Sequence, residues 1–149
     1  MGIDYVTSAA LQCRRYLDAH GVAEEQLAQV SVKNHGNARN NPYAQLPLDL
    51  SVADVMASRP IADPLKLLDC SPVSDGAAAI ILAPEDRAGK AKTRPVWVKG
   101  MAHCADEYVL GERDLAGPKA LRDAAKRAYA MAGVTDPVAE LNLIELYDA

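Results

Sequence analysis

Phenylalanine is absent from this chain, and Trp97 is its single tryptophan. A core without large rings must be packed from small and aliphatic side chains, and alanine is abundant enough to supply them. Cysteine is scarce. Cys13, Cys70 and Cys104 are an odd, widely spaced set without a C-x-x-C pair, which argues against a disulfide framework or a zinc site and fits a reducing cytoplasm. There is no Lys/Arg block, and the formal charge is -4, so a nucleic-acid partner is not expected. No apolar run approaches the roughly 20 residues of a membrane span. A charged-then-apolar leader is also missing. Gly111 and Gly117 match no dinucleotide fingerprint, and no strand immediately precedes them. What is left is a soluble globular chain of 149 residues, half of them hydrophobic, sufficient for one domain or one and a fraction.

The first region, to about Pro60, reads as helical. Val6, Ala9, Ala10, Cys13, Tyr16 and Leu17 recur at three- and four-residue spacing, and Gly21 offers a left-handed stop. A second helix is predicted over Ala23 to Ala38, with Glu24 and Glu25 at the positive end of its dipole and Asn40-Asn41-Pro42 as its breaker. Ser51, with Asp54 three residues on, is a variant capping box for a short helix ending at Ser58.

The second region carries Asp75-Gly76, a tight turn, and then the uniformly apolar run Ala77 to Leu82, ended by Pro84. It is predicted to be a buried central strand, too short and too apolar all round for a surface helix. In the third region Pro95 to Lys99 is a second predicted strand, and Met101 to Gly117 a long loop. A helix from Pro118 to Ala132 follows, with Leu121, Ala124, Ala125, Ala128 and Ala132 as its buried stripe and Gly133 as its stop. Leu141 to Leu146 is predicted as the closing strand. Strand, crossover helix and strand make a right-handed βαβ unit. A domain rarely stops on such a strand, so the chain is expected to be a piece of a larger enzyme.

Few side chains announce chemistry. Cys104 adjoins His103, but sequence neighbours seldom face each other as nucleophile and base, and an idle thiol is the simpler reading. Lys33, His35 and Arg39 are candidates for an anion contact, with a solvated helix face as the alternative. Ser71 lies in a Pro-containing loop feeding the apolar run, and Tyr147 at the end of the closing strand. Each can equally be structural, Ser71 as a turn residue and Tyr147 as an aromatic bridging two layers.

Ser71-Pro72-Val73-Ser74-Asp75-Gly76-Ala77-Ala78-Ala79, followed later by Leu143-Ile144-Glu145-Leu146-Tyr147-Asp148-Ala149, resembles the thiolase superfamily, most of all its sterol-carrier-protein type and lipid-transfer-protein relatives. Val32-Lys33-Asn34-His35 with Ala38 and Asn41-Pro42, the stretch Ala57 to Leu65, and Gly117-Pro118 opening an Ala-rich helix support it in the right order. The resemblance covers almost the whole chain.

It implies an α/β fold, a fragment of the layered α-β-α-β-α thiolase arrangement. Residues 1–66 would be its mostly helical loop subdomain. Residues 67–90 would hold the last strand of the N-terminal half, and residues 91–149 the opening βαβ of the C-terminal half. It implies an acyltransferase that makes or cleaves a carbon–carbon bond on a coenzyme A thioester, with no permanently bound cofactor and no metal. Two alternatives are a retro-aldolase acting on a β-hydroxyacyl-CoA and a non-catalytic assembly or binding subunit. Ser71 matches a serine near the pantetheine arm, which makes it the substrate-binding candidate. Tyr147 falls where thiolases carry an Asn or His that holds an oxyanion-stabilising water, which makes it the catalytic candidate, and tyrosine there is a departure. The segments that supply the family's nucleophilic cysteine and later His and Cys are not matched, so the isolated fragment is expected to be inactive. The implied partners are the acyl-CoA substrate, the remainder of the chain, a second copy in a homodimer or higher assembly, and an OB-fold protein. Neither nucleic acid nor membrane is among them.

Overall fold

The computed structural model describes residues 3–147. The first helix, α1 (Tyr5–His20), is bounded by two local devices. Asp4 and Thr7 form a reciprocal capping box, with Thr7 N–H donating to Asp4 Oδ1 (2.8 Å) and Asp4 N–H to Thr7 Oγ1 (2.9 Å). Gly21 ends the helix in the left-handed region at φ 62°. Helix α2 (Glu24–Ala38) places Glu24 and Glu25 in its first turn, as the sequence predicts. Helix α3 (Val52–Ala57) starts from the predicted Ser51–Asp54 box, with Ser51 N–H donating to Asp54 Oδ2 at 2.8 Å and Asp54 N–H to Ser51 Oγ at 3.2 Å.

A hairpin follows that the sequence did not announce. Strands β1 (Pro60–Ala62) and β2 (Leu65–Lys66) pair antiparallel, Pro60 opposite Lys66 and Ala62 opposite Leu65, around a cis Asp63–Pro64 bond. A 3₁₀ turn over Leu67–Asp69 leads into the Ser71 loop.

Later in the chain stand α4 (Glu85–Ala88), a 3₁₀ turn at Leu110–Glu112, α5 (Lys119–Ala132) and α6 (Pro137–Glu140). Helix α5 ends at Gly133, φ 73°, as predicted. The chain divides into two units, residues 3–74 with Glu107–Pro118, and Asp75–Asp106 with 119–147.

The core of the first unit is small, as a chain without phenylalanine requires. Ala10 and Leu17 from α1, Ala28 from α2 and Val55 from α3 are buried, with Ala116 from the later segment. Val55 is fully enclosed, a burial worth roughly 1.5–3 kcal/mol. In the second unit Ala88 is buried.

The second unit departs from expectation. The predicted strands at 77–82, 95–99 and 141–146 are assigned neither helix nor strand, and Ile81, Val96 and Leu143 are well over four-fifths exposed or close to it. A strand exists only by pairing, and no described segment pairs with any of them. The α5 stripe is correspondingly shallow. Ala124, Ala125, Ala128 and Ala132 are half-buried, whereas Leu121 is exposed, since among the described residues the sheet is the β1–β2 hairpin and none forms beside this helix from the predicted strands. Gly100 comes so close to this helix that a Cβ there would collide with the Ala128 carbonyl. The secondary structure is thus mixed, helices with one small sheet, and compatible with the α/β class.

Candidate functional site

The Ser71 loop is built from α2, α3 and the hairpin. Its base is the 3₁₀ turn, which is held from several directions. Leu67 N–H donates to Arg59 O at 2.8 Å. Leu68 N–H donates to Ser58 Oγ at 3.3 Å, and that hydroxyl donates in turn to Val55 O at 2.8 Å. The Asp69 carboxylate accepts from Lys66 N–H (2.9 Å) and from Ser31 Oγ on α2 (3.2 Å). Cys70 and Ser71 come next, Cys70 half-buried and Ser71 exposed. Further along, the Ser74 hydroxyl bonds the Gln45 side chain and donates to Pro72 O (3.2 Å), folding the loop back on itself.

Beside this turn lies a charged node. Lys66 Nζ donates to Glu24 Oε2 at 2.7 Å, and Arg14 reaches Glu24 at 3.2 Å and Asp63 at 2.7 Å. The hydrogen bond from the Lys66 ammonium, aided by Arg14, holds the Glu24 carboxyl below its ordinary range. The node joins α1, α2 and the hairpin. The two nearby thiols shift the other way: burial, and then the negative Asp69, push Cys13 and Cys70 up, away from the thiolate that reacts.

The three basic candidates on α2 and at its C-terminal cap have different fates. Arg39 pairs with Asp49 at 2.9 Å. His35 Nδ1 lies 2.8 Å from Leu46 O, and since a carbonyl only accepts, Nδ1 carries the proton. Both therefore tie the loop after α2 to the helix. Lys33 is exposed and enters no ion pair among the described residues. His20 is exposed and stacks obliquely on Tyr16, ring centroids 4.6 Å apart. Cys104 is half-buried beside an exposed His103.

Ser71 belongs to the first unit and Tyr147 to the second, where it is 78% exposed. Sequence reasoning missed Asp69, Ser31, Lys66, Glu24 and Arg14. Asp69 stands two residues before Ser71, but nothing local links it to Ser31.

The likeness to known proteins runs through all of these elements. The chain is 44% identical over 148 residues, 99% of its length, to an acetyl-CoA acetyltransferase of Methanothermobacter thermautotrophicus. It is 33% identical over 141 residues to the benzoylsuccinyl-CoA thiolase subunit BbsB of Thauera aromatica, covering 94% of the chain. The chain is thus similar to a stretch of thiolase-like acyltransferases. This thiolase-like chain is also 32% identical over 141 residues to human (Homo sapiens) sterol carrier protein 2. It spans 38%, 36% and 25% of the lengths of these three relatives. No family model matches it. Among the described residues no helix is long and apolar enough to cross a membrane.

Proposed function

We propose that the chain is part of a thiolase-like acyl-CoA enzyme that makes or breaks a carbon–carbon bond on a coenzyme A thioester. The observation that carries this reading is the 44% identity, over 99% of the chain, to a protein named acetyl-CoA acetyltransferase. The layered thiolase fold, a homo-oligomer and a cytoplasmic location belong to the same reading.

In this reading the acyl-accepting cysteine comes from outside the matched stretch. An enolate carbon attacks the acyl carbonyl, the new carbon–carbon bond forms, and the cysteine thiolate leaves; cleavage is the reverse. Ser71 offers a hydroxyl to the pantetheine arm of coenzyme A. The Tyr147 phenol donates a hydrogen bond to the oxygen on which negative charge develops. Such a donor stabilises the transition state more than the ground state, which is what acceleration requires.

Tyrosine at 147, a departure from the Asn or His of thiolases, keeps open a second reading, a retro-aldolase. There the phenol takes or returns the proton of a β-hydroxyacyl-CoA as the carbon–carbon bond breaks. A non-catalytic assembly subunit is the third possibility, distinguished by the absence of turnover in any combination.

The test is Tyr147→Phe in the longer protein that carries this stretch. Turnover is expected to fall by on the order of a hundredfold with KM little changed, the signature of one lost oxyanion donor. Normal turnover in a folded variant would reduce Tyr147 to a packing residue. The chain alone is expected to be silent towards acetoacetyl-CoA, and thiolysis by the pure chain would overturn that part.

A further inference from the structure

We propose that Asp69 is a positioning residue, clamping the Ser71 loop to α2 through Ser31; the proposal rests on the reading of Ser71 as a coenzyme A contact. Ser71 stands exposed in a stretch without helix or strand, so its own surroundings do not fix its hydroxyl. The fixed point is two residues back. There the Asp69 carboxylate spends one oxygen on the turn itself, Lys66 N–H at 2.9 Å, and the other on Ser31 Oγ at 3.2 Å. Both contacts are part-buried, where water competes poorly for the acceptor. Two residues of chain span at most about 7 Å, so Ser71 stays within that distance of the clamped turn. The remaining bonds of the turn, to Arg59 O and Ser58 Oγ, tie it towards α3 and β1. The Asp69–Ser31 bond joins it by side chains to α2.

The chemistry of the clamp predicts which substitutions preserve it. Alanine at 69 removes both acceptors. Asparagine keeps both links, because its carbonyl can accept from Lys66 N–H while its amide donates to Ser31 Oγ, which is able to accept. It removes only the charge.

Coenzyme A binding to the chain, measured by calorimetry, and amide exchange at Cys70, Ser71, Val73 and Ser74 test the proposal together. Thermal unfolding verifies each variant. Asp69→Ala and Ser31→Ala are expected to speed exchange at those amides and to weaken coenzyme A by about fivefold, the factor for one ordinary hydrogen bond. Asp69→Asn is expected to stay within about twofold of the parent in affinity, while iodoacetamide modifies Cys70 faster once the neighbouring charge is gone. If Asp69→Ala does not fold, Ser31→Ala carries the same comparison. Unchanged exchange and affinity in the alanine variants overturn the clamp. Faster exchange with unchanged affinity, in a protein whose binding Ser71→Ala weakens, overturns it as a positioning device. If Ser71→Ala itself binds normally, the reading of Ser71 falls and takes the proposal with it, while the exchange data still show whether Asp69 anchors the loop.

Discussion

Replacing Gly100 with alanine puts a methyl group where the structure has no room for one. Its Cβ would overlap the Ala128 carbonyl oxygen, lie 3.1 Å from that carbonyl carbon and 3.2 Å from Ala132 Cβ. Carbon atoms in comfortable contact sit about 3.5–4.0 Å apart. The obstacle is helix backbone rather than the tip of a flexible side chain, so the segment before Gly100 must retreat from α5. Gly100 is not among the positive-φ glycines, which leaves sterics as the whole penalty. Overpacking of this kind costs about 1–3 kcal/mol. Trp97, the only tryptophan, is half-exposed and three residues away, so its fluorescence during urea unfolding reports on the same unit. Gly89→Ala, in the same unit, is the control, since a Cβ there meets nothing within 4 Å, and its stability is expected within about 0.5 kcal/mol of the parent. A Gly100→Ala chain with the parent's midpoint and slope would refute the close approach of this segment to α5.

Other outcomes are expected from the first unit. Glu24 is held below its ordinary value of 4.5, first by the Lys66 hydrogen bond. A depressed carboxyl contributes stability that is present above that value and lost as pH falls through the folded one. Glu24→Gln is therefore expected to cost about 1 kcal/mol at neutral pH, discounted for partial exposure of the pair, and to flatten the acid limb of a stability–pH curve. An unaltered acid limb would dismiss the node. Ser51→Ala is expected to lose about 1 kcal/mol in urea unfolding, whereas Ser51→Asp retains a cap; equal losses would deny the capping role. Cys13 and Cys70, raised mainly by burial, are expected to react with iodoacetamide at pH 8 more slowly than free cysteine. Alkylation at the free-cysteine rate would show that they are more accessible than the structure places them.

The helix boundaries were legible because they are set by neighbours in sequence. Ser51 and Asp54 satisfy helix-end amides three residues away, and Gly21 and Gly133 supply left-handed stops, all without help from distant parts of the chain; the Asp4–Thr7 box is equally local but was not read from the sequence. The likeness to thiolases was legible for a similar reason, since the runs that carry it, Ser71 to Ala79 and Leu143 to Ala149, are continuous in sequence. Strands are different. The runs at 77–82 and 141–146 have the apolar character of buried strands, but character cannot provide the hydrogen-bonding partner that makes a strand, and the structure pairs neither. The small hairpin at Pro60–Lys66 shows the converse: a strand pair decided by local closure with little periodicity to announce it. The Ser71 loop divides along the same line. Sequence alone singled out Ser71 and Tyr147 as residue types in suggestive places. Only tertiary structure brought Ser31, from the middle of α2, to the carboxylate of Asp69, and Arg14, Glu24 and Lys66 to one node, because contacts between residues far apart in the chain are made by packing and leave no mark on spacing.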